Sequence, residues 1–493
     1  MAVENPSIAS EVPASASETI LNYWKRRAYI TDTFINKTPA DEVLQVESKS
    51  GPADVRVLST MCEIPDELRD PNKMQAKENV TMAVFVPGMF EVAQNYGSHP
   101  LESRLAGGLL TSETDAVIML KAEGQDRKAF EEVHKTTSTA AFQVLEKQIT
   151  EYLKMHPDCK TINLKVLGYS EGSTQGASLT ARIIEHIQEA KAEGRPAIDG
   201  LDTLNMKEYL SICGGGLAGN AKVADVNLGE VLINNIKAMN QGQANESLAK
   251  EAGAGAYGTV SWQDTNGHSY DIPKGTEAQL KEISAGLNLK TFEIDTRLVE
   301  GFQKSLEVGA GKLNGEQAEL RDQEQESQQR RNPDDVKNVS KWLARFFATN
   351  VESLSKSLVT RAAAILPGGV DTLNRLIGNG SVLKNPVPLE RVKALFTMNP
   401  DYETIVNSPD TKLTVVAGSK DIYFPGEVVA TNLKEIVAAS DDPERAVGKT
   451  VLIKGDIPHE FPHGNTDGLA YMIELLKNKA YGLENTNNAQ VLV

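Results

Sequence analysis

The stretch Ile-Asn-Leu-Lys-Val-Leu-Gly-Tyr-Ser-Glu-Gly, from Ile162 to Gly172, constrains the fold of this chain more than any other. An apolar run of strand length enters Gly168-Tyr169-Ser170-Glu171-Gly172, and a helix pattern over Thr174–Glu193 follows at once. A serine held in Gly-x-Ser-x-Gly between a strand and a helix has the setting of a nucleophile elbow. Such a turn crowds the serine backbone, so glycine at 168 and 172 removes side chains that would clash. The hydroxyl then stands at a helix N-terminus, whose dipole favours negative charge. Gly176, further along, lets the helix lie close to a sheet.

The surrounding pattern suits such a turn. From residue 81 onward, apolar runs short enough for buried strands alternate with amphipathic segments of helix length, the mark of a parallel sheet covered on both faces. Strands are predicted over Met82–Val86, Ala116–Leu120, Ile162–Leu167, Tyr209–Cys213, Leu413–Ala417 and Thr450–Ile453, with helices over Ala129–Lys154, Thr174–Glu193 and Gly468–Lys477. Ahead of them, Glu42–Glu47 and Val55–Thr60 alternate apolar and polar residues on either side of Lys49-Ser-Gly-Pro52, which predicts an antiparallel hairpin. The class is therefore α/β, with a mostly parallel, mixed sheet.

Residues 1–18, rich in Ala, Ser, Pro and Glu, read as a flexible tail, and a helix is expected near Glu18–Tyr29. Between residues 216 and 395 the alternation stops and no strand is predicted. That segment carries a polar tract over 316–335 and a helix whose Val339, Trp342, Phe346, Val351, Leu354 and Leu358 form one apolar stripe. The expected division is thus a tail (1–18), a core (19–215 and 396–485) and a large helical insertion (216–395).

Charge narrows the classes of partner. A net charge of −16 repels phosphate backbones, and the short clusters Lys25-Arg26-Arg27 and Arg330-Arg331 make no basic patch, so a nucleic-acid partner is not expected. No uninterrupted apolar run of membrane-spanning length occurs. The three cysteines, Cys62, Cys159 and Cys213, are far apart and form no Cys-x-x-Cys pair, which suits a reducing compartment. With no basic start followed by an apolar run at the N-terminus, a cytoplasmic location is expected. Oligomeric state has no signature here.

With its elbow and this order of elements, the chain resembles the α/β-hydrolase superfamily over about residues 40–215 and 396–480. The resemblance implies an α/β-hydrolase fold with a helical cap formed by the insertion. It also implies an acid after a later strand, where Leu413–Ala417 runs into Gly418-Ser-Lys-Asp421 and then Pro425, and so selects Asp421. The base belongs in the loop after the last strand, where Gly455-Asp-Ile-Pro-His459-Glu-Phe-Pro-His463 offers His459, with His463 as the alternative. Two backbone N–H groups would form the oxyanion hole: that of Glu171, beside the nucleophile, and that of Met89 in the loop Pro87-Gly88-Met89-Phe90, where the family often has His-Gly. The implied activity is that of a serine esterase or lipase-like enzyme, with thioester or amide as alternative bonds, a small-molecule or lipid-like acyl substrate and no cofactor. His99 follows the same loop and could approach the pocket.

Rival readings are weaker. His459-Glu-Phe-Pro-His463 spells the His-Glu-x-x-His zinc motif, but that motif needs both histidines on one helical face, and Pro458, Pro462 and Gly464 oppose a helix there; no metal is expected. Gly309-Ala-Gly-Lys-Leu lacks the hydroxyl and spacing of a phosphate-binding loop, and Gly214–Gly219 comes too late in the chain for a dinucleotide turn. The other substantial reading is a hydrolase-fold protein without catalysis that binds a partner through its insertion.

Overall fold

The computed structural model describes residues 25–34, 36–68, 78–88, 106, 114–124, 128–129, 132–214, 217, 262–263, 269–270, 287–310, 401–419, 421, 424, 426–457, 459 and 461–482, with backbone alone at 262–263, 269–270, 305–310, 427–428, 431 and 463–464. The tail 1–18, Met89, His99 and most of the 216–395 segment, including the stripe from Val339 to Leu358, lie outside the described residues.

Alternation at the start of the chain produces the expected hairpin. Strand β1, Ala40–Ser48, pairs antiparallel with β2, Gly51–Glu63, from Ala40 opposite Ser59 to Ser48 opposite Gly51. Lys49 and Ser50 make the turn, and Gly51 supplies the positive φ (101°) that closes it. Next come β3 (Asn79–Val86), β4 (Ala116–Gly124), helix α1 (Val133–Met155), β5 (Thr161–Tyr169), α2 (Glu171–Glu193) and β6 (Thr203–Ile212). Beyond these lie β7 (Lys290–Ile294), α3 (Thr296–Ala310), α4 (Asp401–Asn407), β8 (Lys412–Gly418), α5 (Gly426–Ala438), α6 (Pro443–Lys449), β9 (Thr450–Gly455) and α7 (Thr466–Tyr481).

These nine strands form one sheet in the order β1-β2-β4-β3-β5-β6-β8-β9-β7, and the two-residue strands Trp262–Gln263 and Ser269–Tyr270 pair antiparallel in a separate small sheet. Within the nine-stranded sheet only the β1–β2 and β2–β4 pairings are antiparallel. Successive residues of the inner strands feed opposite faces. Met82, Val84 and Val86 join one apolar cluster with Ile118, Leu164 and the buried side of α1 and α2. Ala83 and Phe85 join a second cluster with Val117, Met119, Ile453 and Leu469 of α7. A sheet buried on both sides explains why the strands read as continuous apolar runs.

A strand–helix unit and the small strand pair at Trp262–Gln263 and Ser269–Tyr270 depart from the sequence expectation. Strand β7 and helix α3 fall inside the segment for which no strand was predicted, and β7 pairs parallel with β9 at the sheet edge, Val451 opposite Lys290 and Gly455 opposite Ile294. In Lys-Thr-Phe-Glu-Ile only Ile294 is buried, so the strand carries no apolar run. Helix α3 packs on α7, where the Phe302 and Tyr471 rings lie 4.7 Å apart. All three cysteines are buried and none is in a disulfide. Among the described residues no helix is long and apolar enough to cross a membrane.

Candidate active site

Strand β5 ends at Tyr169 and α2 begins at Glu171, leaving Ser170 alone between them with φ 56° and ψ −122°. A side chain other than glycine's seldom takes a positive φ, so surrounding structure must hold it there. The Ser170 N–H donates to Ile212 O (3.0 Å) at the end of the neighbouring strand, and Ser173 Oγ donates to Gly168 O (2.7 Å). Both turn glycines are required by packing: a Cβ at Gly168 would lie 2.3 Å from Gly172 O, and one at Gly172 would lie 2.0 Å from Val86 O. At Gly176 a Cβ would meet the Tyr209 ring at 3.2 Å, so the glycine does let α2 sit close to the sheet.

A hairpin leading into β2 beside β4, the 4-3-5-6 run of parallel strands, and this strained serine after the fifth strand occur together in one architecture. The fold is that of the α/β-hydrolases. No protein-family model matches the chain, and no curated protein matches it in sequence. Among solved structures it is similar to a Pyrobaculum calidifontis esterase over 96% of this chain and 95% of that one, at 10% identity and a TM-score of 0.31. It is also similar to carboxyl esterase 2 of the mycorrhizal fungus Tuber melanosporum (91% and 87% covered, 10% identity, TM-score 0.34) and to the Cif epoxide hydrolase of Acinetobacter nosocomialis (96% and 99%, 11%, 0.33). Likeness this distant carries nothing about activity; the α/β-hydrolase assignment stands on strand order and turn.

Two further turns of the α/β-hydrolase sheet converge on Ser170. After β8, the Asp421 N–H donates to Gly418 O (3.2 Å), and after β9 the chain turns through Ile457 to His459. These turns touch: Ser419 N–H donates to Gly455 O (2.8 Å), and a Cβ at Gly418 would stand 2.1 Å from Ile457 O. Consequently His459 Nδ1 lies 2.8 Å from Asp421 Oδ2, and His459 Nε2 lies 3.0 Å from Ser170 Oγ. Asp421 is fully buried, and its other oxygen accepts the Phe424 N–H at 3.0 Å. The imidazole is held between rings, stacked on Tyr169 and edge-on to Phe424, each with centroids 5.5 Å away. Tyr169 also donates its hydroxyl to His459 O (3.0 Å).

His459 stands in a turn before the short helix Phe461–Gly464, so the zinc-motif histidines do not share a helix. The His463 side chain and Met89 lie outside the described residues. Glu171 opens α2, where the first N–H groups of a helix are available to a ligand.

Three residues that sequence reasoning did not single out complete the surroundings. Lys121, on β4, is fully buried, and its ammonium donates to Gly88 O (2.7 Å) and Pro87 O (3.3 Å) and pairs with Glu171 Oε2 (3.1 Å). It therefore ties the loop after β3 to the residue after the serine. It also balances a carboxylate that would otherwise oppose negative charge near the turn. Asp467, at the N-terminus of α7, lies 2.6 Å from Arg27 Nε and accepts from Gln303, anchoring the helix behind the His459 turn. Cys213, just past β6, is buried beside the acid and the imidazole: its sulfur, an Asp421 oxygen and a His459 ring nitrogen all lie within 4.8 Å of one another.

Proposed function

We propose that this chain is a serine hydrolase that cleaves an ester through an acyl-enzyme on Ser170, with thioester and amide as alternative bonds. The observation that carries the reading is the continuous hydrogen-bonded line Ser170 Oγ, His459 Nε2, His459 Nδ1, Asp421 Oδ2, at 3.0 and 2.8 Å. In the attack step His459 takes the Ser170 proton as the oxygen bonds to the acyl carbon, then returns it to the leaving group. Asp421 holds the Nδ1–H tautomer and stabilises the imidazolium that forms. The Glu171 and Met89 N–H groups receive the negative oxygen of the tetrahedral intermediate. Water then repeats the sequence on the acyl-enzyme. An apolar stripe in the 216–395 insertion favours a lipid-like acyl group, with the insertion acting as a cap that excludes water.

The alternative of a binding protein without catalysis has nothing specific in its favour, and a buried, fully oriented imidazole next to a strained serine counts against it. Labelling with a fluorophosphonate probe tests the proposal. Wild type and His463→Ala are expected to label, while Ser170→Ala and His459→Ala are not. A folded wild-type chain that fails to label would overturn it. Asp421→Asn should leave the fold and slow labelling by about 10⁴-fold, the scale of a wrong-tautomer imidazole.

A further inference from the structure

Two non-glycine residues among those described have positive φ, and both end adjacent parallel strands: Ser170 (56°) after β5 and Cys213 (47°) after β6. The first is explained by the nucleophile turn. Nothing in the proposed reaction uses the second. Cys213 is held in this conformation by its N–H bond to Val416 O (2.9 Å) and by the packing of Gly214, where a Cβ would lie 2.5 Å from Ser173 Cβ and from Ser211 Oγ. The outcome is a buried sulfur next to the Asp421–His459 pair, with the three donor atoms inside 4.8 Å of one another.

One thiol, one imidazole and one carboxylate make a mixed donor set that suits zinc, and three protein ligands leave a fourth position open. Ligand atoms on one tetrahedral zinc lie about 3.3–3.8 Å apart, given zinc–nitrogen and zinc–sulfur distances of about 2.0–2.3 Å. Drawing the sulfur in from its place within 4.8 Å of the other two atoms and slightly opening the 2.8 Å Asp421–His459 contact would reach that geometry. We propose that Cys213, Asp421 and His459 form an inhibitory site for zinc or a similar thiophilic divalent cation. The functional consequence rests on the serine-hydrolase reading above.

The chemistry is a proton balance. Zinc bonds to Cys213 Sγ, whose thiol proton leaves to solvent, to an Asp421 oxygen and to His459 Nδ1. The imidazole remains neutral, so its proton moves from Nδ1 to Nε2. That nitrogen then donates and can no longer accept the Ser170 proton. The metal thus switches off the base without touching the nucleophile, and it is no part of the reaction itself. Ser170 is partly exposed while Cys213, Asp421 and His459 are buried, so the cation must pass the imidazole from the serine side and onset should be slow.

The test uses the full chain freed of metal by a chelator, zinc chloride, and fluorophosphonate labelling, with each protein's metal-free rate as its own reference. After preincubation at zinc about ten times its dissociation constant, wild-type labelling should slow about tenfold and recover with chelator. Cys213→Ser should be nearly insensitive at that concentration. Equal inhibition of wild type and Cys213→Ser, or none of wild type, overturns the site. Cobalt(II) gives a readout independent of catalysis: a thiolate-to-cobalt absorption band is expected in wild type and in the Cys62→Ser/Cys159→Ser double variant, which keeps Cys213. Absence of the band from that double variant overturns the site even if Cys213→Ser fails to fold. A chain that shows the band but never labels would retain the metal site and sink the hydrolase reading.

Discussion

An ion pair on the outer hairpin and another beneath the Ser170 turn use similar chemistry to opposite ends. On the hairpin, Arg56 grips Asp41 through two short bonds, 2.5 and 2.8 Å, with the side chains 28% and 45% exposed. Beneath the turn, Lys121 reaches Glu171 at a looser 3.1 Å, but the side chains are only 0% and 3% exposed. Distance alone would rank the hairpin pair first. Water reverses the ranking, because exposed charges lose little when parted, whereas a buried charge without its partner keeps its full desolvation cost. The Lys121 ammonium also holds two loop carbonyls, so its work is as much to position Pro87 and Gly88 as to stabilise the fold.

The difference is sharpest in single substitutions of the buried pair. Lys121→Met strands the Glu171 carboxylate, and urea unfolding should show a loss of about 3–5 kcal/mol. A loss below about 1 kcal/mol would put the two pairs in the same class. Replacing both partners, as Lys121→Met with Glu171→Leu, removes the stranded charge and should recover part of that loss, leaving about 1–3 kcal/mol for the loop carbonyls that lose their donor. Labelling at Ser170 should nonetheless slow by about 10²-fold, the scale of one lost oxyanion donor, because the loop loses its tether. Wild-type labelling in that double variant would show that the pair does not position the loop. Glu171→Gln, which leaves the ammonium its two carbonyl partners, should cost about 1–3 kcal/mol by the same unfolding measurement.

What could be read in the sequence follows the range of the interactions involved. Ser170, Asp421 and His459 each sit in a local pattern, a strand followed by a turn, so the chain near each residue announces it, and these are the three side chains that hydrogen-bond in line. The doubly covered sheet was legible for the same reason, since apolar runs of strand length recur at helix-length intervals. Lys121 was hidden because it follows the apolar run Ala116–Leu120 inside a strand that continues to Gly124, and finds its partners 33, 34 and 50 residues away. Cys213 read as one more apolar residue at the end of a strand, because its φ is set by how Gly214 packs on Ser173 and Ser211. Strand β7 escaped because an edge strand with one buried side chain need not be apolar.

The hairpin pair supplies the smallest effect and a check on sign. The Arg56 guanidinium, bonded to both oxygens of Asp41, holds that carboxyl below its ordinary value of 3.8. A carboxylate with a lowered folded-state pKa binds protons more readily in the unfolded chain. Its contribution is therefore complete above the ordinary carboxylate range and disappears as pH falls through the folded value. Asp41→Asn should cost only about 0.2–1 kcal/mol at neutral pH, since both side chains meet water. The difference between wild type and variant should shrink toward zero in unfolding measurements carried below pH 3.8, and salt should shrink it at neutral pH as well. If the neutral-pH loss instead matched that of Lys121→Met, exposure would not be what separates the two pairs, and the short bidentate contact would have to carry the energy that burial carries beneath Ser170.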